Sequence, residues 1–235
     1  MRTFLMLILA VVFSHAQAAL LVFSSTEYDA GAQATAGSNT DQHMDTSPPH
    51  PLAVSASAFA TAGTGNHGSA SGLADDGVLV ATAESGSVDA DTSALGGATF
   101  FGTFEETPGE LGLHVQFDTD GQVQGDGNAL AASKLTVTLI SNGDILYSDT
   151  FQAPSIVDKS FDLPADSSGS LQLALFSLAG SSNASALNAS NAHFRLSFAL
   201  VPEPSSMLML LAAIPILLAL SHPHNHRWPR TTISS

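Results

Sequence analysis

The sequence predicts an all-β protein, an antiparallel β-sandwich of jelly-roll-like winding, and three observations carry that prediction. Several segments between residues 53 and 200 alternate apolar and polar side chains with a period of two, the period of a strand with one buried face. Asn142-Gly143 separates two such segments, and this dipeptide favours tight hairpins because both residues tolerate positive φ. No stretch of 19–200 sustains a helical apolar stripe, so a helix there would have no face to bury.

Met1-Arg2-Thr3 carries one basic residue, and 4–13 form an apolar run too short to anchor stably. Ala16-Gln17-Ala18 places small residues where a signal peptidase cuts. Residues 1–18 therefore read as a secretory signal peptide, with the mature chain starting at Ala19. The next unit, 19–52, reads as a strand followed by a flexible arm. Residues 26–52 are poor in large apolar groups and contain Gly37-Ser38-Asn39 and Ser47-Pro48-Pro49-His50-Pro51, which favour a long loop. His43 and His50 lie in it without ligand spacing and read as solvated.

Residues 53–200 read as the β-sandwich ectodomain. Residues 53–62 are mostly Ala, Ser and Thr around Val54 and Phe59, a strand with a small-residue face. Further strands fall at 77–85, around Val78, Leu79 and Val80, and at 99–104, with Phe100, Phe101 and Phe104. Leu111, Leu113, Val115 and Phe117 alternate with Gly112, His114, Gln116 and Asp118. Leu135, Val137 and Leu139 share one side of 134–141, and Asn142-Gly143 turns that strand into 144–151. Leu171, Leu173 and Leu175 line the next strand, and Phe194, Leu196, Phe198 and Leu200 alternate with His193, Arg195, Ser197 and Ala199. About eight strands joined by Gly, Asp, Asn and Ser turns suit two packed sheets, with Leu113, Val115, Val137, Phe194 and Phe198 buried.

Directly behind the last strand stand Val201-Pro202-Glu203-Pro204-Ser205-Ser206, then an apolar run over 207–220 and a polar tail over 222–235 with Arg227 and Arg230. Both prolines lack a backbone N–H and push Val201 and Glu203 toward extended conformations, the form that threads into a protease-like cleft. A helix over 206–221 would span about 24 Å at roughly 1.5 Å per residue, short of the ~30 Å hydrocarbon core. It has no polar face and is followed by basic residues, as a single transmembrane helix with a cytoplasmic tail would be.

The order of Pro-Glu-Pro motif, short apolar segment and basic residues resembles the PEP-CTERM sorting signal of exported Gram-negative bacterial proteins. The resemblance covers 201–235. It implies that the precursor is held transiently in the inner membrane until an exosortase, a membrane-embedded cysteine transpeptidase, processes it near Val201, Pro202, Glu203 and Pro204. Arg227 and Arg230 would then be the retention residues. One departure stands out. Family tails carry a dense arginine cluster directly after the helix, whereas here Ser221-His222-Pro223-His224-Asn225-His226 intervene, which implies weaker retention. The Ala/Ser/Gly-rich first half followed by Leu/Phe strands is also similar to ectodomains found ahead of such signals, a likeness that assigns no activity.

The chain carries 21 acidic and six basic residues, for a net charge of −15. All the acids but Glu203 lie in 19–200, against Lys134, Lys159 and Arg195. That balance argues against nucleic acid and anionic lipid as partners and suits solubility in a polyanionic matrix. Cysteine is absent, so an exported domain must rely on packing rather than on disulfides.

Three chemistries compete with plain structure. Asp118, Asp120, Asp126 and Asn128 surround one glycine-rich stretch and form the candidate metal set, for an irregular calcium loop. Calcium takes six to eight oxygens, and the twelfth position from Asp118 is Ala129 rather than Glu, so the stretch is no EF-hand; a plain hairpin connection between Phe117 and Leu130 is the competing reading. Glu105, Glu106 and Glu110 supply the residue type of a glycosidase pair, yet acids in a Pro-Gly loop are more often a solvated turn. No Gly-x-Ser-x-Gly elbow occurs. Aromatics for stacking on sugars are sparse: the domain's tyrosines are Tyr28 and Tyr147, Trp228 lies in the tail, and the phenylalanines mostly follow the apolar phase of strands. Asn183-Ala184-Ser185 and Asn188-Ala189-Ser190 match the glycosylation sequon and read as loop residues.

The sequence thus points to a non-catalytic, exosortase-processed protein of the cell surface or extracellular matrix, with no catalytic residues and no required cofactor. Its partners would be signal peptidase, exosortase and exopolysaccharide. The alternatives are a carbohydrate- or calcium-dependent binding module and, behind it, a secreted glycoside hydrolase.

Overall fold

The structure, a computed structural model, describes residues 23–47, 53–105, 109–164 and 167–199. The expected signal peptide over 1–18 and sorting signal over 201–235 lie outside them. Among the described residues the fold is all-β and contains no helix. Twelve strands follow one another: β1 (Ser25–Ala36), β2 (Asn39–Thr46), β3 (Val54–Ala62), β4 (Asn66–Asp75), β5 (Val78–Gly86) and β6 (Thr92–Phe104), then β7 (Gly109–Gln124), β8 (Asn128–Ser141), β9 (Asp144–Phe151), β10 (Ser155–Leu163), β11 (Gly169–Ser182) and β12 (Ser185–Ala199).

They make two six-stranded antiparallel sheets, β2-β1-β6-β11-β8-β9 and β10-β7-β12-β5-β4-β3. From β5 onward the chain changes sheet at every connection except β8 to β9. That exception is the expected hairpin. Asn142 and Gly143 both hold positive φ (51° and 86°), and Ser141 pairs with Asp144 across the turn.

The core is uneven, and the sequence explains why. At β7, β8, β11 and β12 the inward positions are large: Leu111, Leu113, Val115 and Phe117 face Leu135, Val137, Leu139, Leu171, Leu173 and Leu175, all fully buried or nearly so. Phe100 of β6 meets Phe194 of β12 with ring centroids 4.8 Å apart, one aromatic pair tying the two sheets. The five side chains expected in the core, Leu113, Val115, Val137, Phe194 and Phe198, are all buried. On the other side of the sandwich the inward residues of β1, β3, β4 and the first half of β6 are mostly Ala and Gly, so the sheets close to backbone contact there. A Cβ at Gly72 would run into the Gly97 carbonyl, and one at Gly68 would lie 2.7 Å from the Ser93 carbonyl oxygen.

This close approach corrects the expected arm. Residues 26–52 read as a loop because Leu52 is their single Leu, Ile or Val; instead Ser25–Ala36 and Asn39–Thr46 form a hairpin closed at Gly37 (φ 57°). Tyr28, Ala30, Ala32, Ala34 and Ala36 are buried on its inner face. Alanine suffices where glycines opposite leave no room for more. The same small-residue pattern hid β4, and β10 is a further strand that was not expected, so twelve strands stand where about eight were expected by the period-two pattern. Where the sheet edges β2 and β3 meet, Asn39 Nδ2 donates to the Thr61 carbonyl at 2.6 Å and Phe59 N–H donates to Asp41 Oδ2 at 2.9 Å. Side chains thereby occupy backbone groups that an open edge would offer to another strand.

Candidate functional site

The predicted metal residues do not form a loop. β7 continues through Asp118 and Asp120 as far as Gln124, where Asp118 pairs with Asn191 and Asp120 with Ala189 of β12. Asp118 accepts a hydrogen bond from Gln116 Nε2 at 2.9 Å, and Asp120, Asp126 and Asn128 are exposed. Among the described residues no three His, Cys, Asp or Glu side chains converge on one point. The expected hairpin between Phe117 and Leu130 is also corrected: β7 and β8 lie in different sheets, so Gly125-Asp126-Gly127 carries the chain across the sandwich. Polar residues continue this strand because its end projects into solvent, where alternation no longer needs an apolar face.

Of the three glutamates, Glu106 lies outside the described residues, Glu105 follows β6, and Glu110 is exposed on β7 opposite Asp162 of β10. Like charges facing each other on an outer sheet surface are a solvated arrangement, not a pair gathered in a cleft. The two sequons part company. Asn183 is exposed in the left-handed turn between β11 and β12 (φ 53°), whereas Asn188 is 1% exposed and buried between the sheets. The motif residues Val201, Pro202, Glu203 and Pro204, with Arg227 and Arg230, lie outside the described residues.

A concave feature does exist, on the outer face of the first sheet. β1 turns its odd-numbered residues outward, so Gly31 faces solvent between Met44 of β2 and Gly97 of β6, with which it pairs. Gly97 pairs in turn with Phe176 of β11. One row across four strands thus reads Met44, Gly31, Gly97, Phe176. The Phe176 ring lies over Gly97: a Cβ there would stand 3.2 Å from Cδ1 and 3.3 Å from Cε1. Over Gly31 the space is open, with nothing within 4 Å of where a Cβ would be. The next row brings Gln42, Gln33 and Leu95 alongside. The result is a shallow groove of about 120 Å³, floored by glycine and walled by Met44, Leu95 and Phe176. Met44 is 67% exposed and Phe176 40%, so both side chains present apolar surface to solvent.

The groove escaped the sequence reading. Phe176 is out of phase with Leu171, Leu173 and Leu175, which marks it as outward-facing, but its glycine neighbours come from strands whose register only the fold reveals.

Electrostatics away from the groove are mild. His67 and Glu84 approach to 3.5 Å and His114 and Asp158 to 4.0 Å, both on exposed surface where such pairs contribute little. Tyr28 differs: burial above all, then the charges of Asp76 and Asp75, push its hydroxyl up to about 12. Burial also raises Tyr147, helped by the charge of Asp149, whose carboxylate accepts a hydrogen bond from the hydroxyl.

No protein-family model and no curated protein matches the sequence. Among solved structures, TmCBM61 in complex with β-1,4-galactotriose is 11% identical, covering 55% of this chain and 86% of that one with a TM-score of 0.23. The infectious bursal disease virus Gx strain structure is also 11% identical, covering 86% and 76% with a TM-score of 0.14. Neither score is high enough to carry fold or function across.

Proposed function

We propose that this chain is an exported, non-catalytic protein of the cell surface or extracellular matrix, held in the inner membrane as a precursor and processed by an exosortase. The observation that carries the reading is one of adjacency. β12 runs to Ala199, and Val201-Pro202-Glu203-Pro204 begins two residues later, so the motif stands between a folded domain and the apolar run. A domain that needs no disulfide and carries strong net negative charge suits release into a polyanionic matrix. Signal peptidase and exosortase act on it in passing, and exopolysaccharide is its matrix partner. We read the winding of the released domain as a jelly roll: the orders β10-β7-β12-β5 and β6-β11-β8-β9 support two interlocked Greek keys.

Replacing Pro202-Glu203-Pro204 with alanines tests the reading. The precursor should then stay in the inner-membrane fraction with its domain folded. Release of the variant at the native rate would contradict it. A second reading, a carbohydrate-binding module, is favoured by the groove over Gly31.

A further inference from the structure

The geometry points to the groove over Gly31 as a binding site for one ring of a neutral polysaccharide, a hexopyranose stacked against Phe176. This deepens the second reading by naming a site and a ligand chemistry, and its test is independent of the sorting signal. Four features select the occupant. The first is shape. With strands ~4.8 Å apart, Met44 and Phe176 stand on backbones about 14 Å apart, and the Phe176 ring fills the position above Gly97. What remains, above Gly31, is a slot one flat ring wide.

The second feature is surface chemistry. The partly exposed Phe176 ring offers apolar surface to C–H groups, and Met44 and Leu95 extend that wall. A pyranose offers such a C–H face. The third is hydrogen bonding. Gln33 and Gln42 pair across β1 and β2 at one end of the slot, and each amide supplies both donors and an acceptor to ring hydroxyls. The fourth is charge. The slot lining holds no Asp, Glu, Lys or Arg. An anionic chain is repelled by the net charge of −15, and a cation finds no carboxylate in the slot. A neutral ring meets neither penalty. A volume of about 120 Å³ limits the contact to one sugar unit, so the rest of the polymer runs over solvent-facing sheet.

The test is affinity electrophoresis of the full chain in detergent, through gels containing a neutral β-1,4-glucan, a neutral β-1,4-galactan or anionic polygalacturonate. Retardation by at least one neutral polymer and none by polygalacturonate is expected. Gly31→Val fills the open space without a backbone clash and should abolish retardation while leaving Tm unchanged or higher. Phe176→Ala should weaken apparent affinity about tenfold. Migration unaffected by both neutral polymers, equal retardation by polygalacturonate, or undiminished binding by Gly31→Val would each overturn the inference.

Discussion

Ser177 and Asn188 hold each other across the two sheets. Ser177 Oγ donates to the Asn188 carbonyl at 2.9 Å, and Asn188 Nδ2 donates back to Ser177 Oγ at 2.9 Å. The same amide reaches Ser133 Oγ at 2.8 Å and the Ala132 carbonyl, and Ser133 Oγ in turn meets Thr119 Oγ1 at 2.6 Å. Strands β7, β8, β11 and β12 are thereby pinned in one register by polar groups buried among alanines and leucines. A slip by one residue would turn these groups outward and bury their neighbours.

Replacing Asn188 with Ala should therefore cost about 2–4 kcal/mol, since it takes the donor from Ser177 Oγ, Ser133 Oγ and the Ala132 carbonyl at once. The double variant Asn188→Ala/Ser177→Ala should lose less than the sum of the two single changes. Urea denaturation measures both. Additive losses would mean that the two side chains act separately.

The glycine seam gives a second, opposite pair of expectations. Gly72→Ala forces a methyl into the Gly97 carbonyl across the sheets and should destabilise by about 1–3 kcal/mol or more. Gly31→Ala adds the same methyl on the outer face, where space is open, and should be neutral or stabilise by about 0.4–1 kcal/mol. Thermal melts of the two variants check the sign of each.

Tyr28 predicts an alkaline transition. Its folded pKa is raised toward 12, so the folded state favours the neutral hydroxyl; that contribution is complete below the ordinary value of 10.0 and is lost as pH climbs toward about 12. Tyrosinate absorbance and near-ultraviolet dichroism should therefore change together in this window. Tyr28→Phe should remove this tyrosine's share of the pH dependence. Ionisation of both tyrosines near pH 10 with the dichroism intact would contradict the buried environment.

What the sequence showed and what it hid follow one physical line. Strands built on Leu, Val and Phe, such as Leu111–Phe117 alternating with polar residues and the Asn142-Gly143 hairpin, announce themselves because large side chains are worth burying anywhere. Ala30, Ala32, Ala34 and Ala36 are buried as completely, yet alanine gains enough only if the facing backbone comes close. That closeness depends on Gly68, Gly72 and Gly96, in strands distant along the chain. The placement of Asp118 and Asp120 on a strand was hidden for a related reason. Asp118 and Asp120 look like loop residues, but a strand whose tip is solvated tolerates them. The groove needed register: Gly31, Gly97 and Phe176 are unremarkable apart and form a slot only once β1, β6 and β11 are side by side.

A carboxylate pair on a strand also makes a definite statement about calcium. Asp118→Asn together with Asp120→Asn should leave any effect of millimolar calcium on Tm unchanged, because the two side chains sit on β7 without a third acid converging on them among the described residues. A calcium-induced rise in Tm that the double variant abolishes would restore the metal loop.

The proposal that this domain is delivered by a sorting signal is tested most directly by mass spectrometry of the protein from a native-type host with and without its exosortase. The account predicts a mature form beginning at Ala19 and ending close to Val201-Pro202-Glu203-Pro204, without the 207–235 segment, in exosortase-positive cells. Cells lacking the enzyme should hold the uncut form in the inner membrane. Mature protein still carrying 207–220 in the exosortase-positive cells would contradict it.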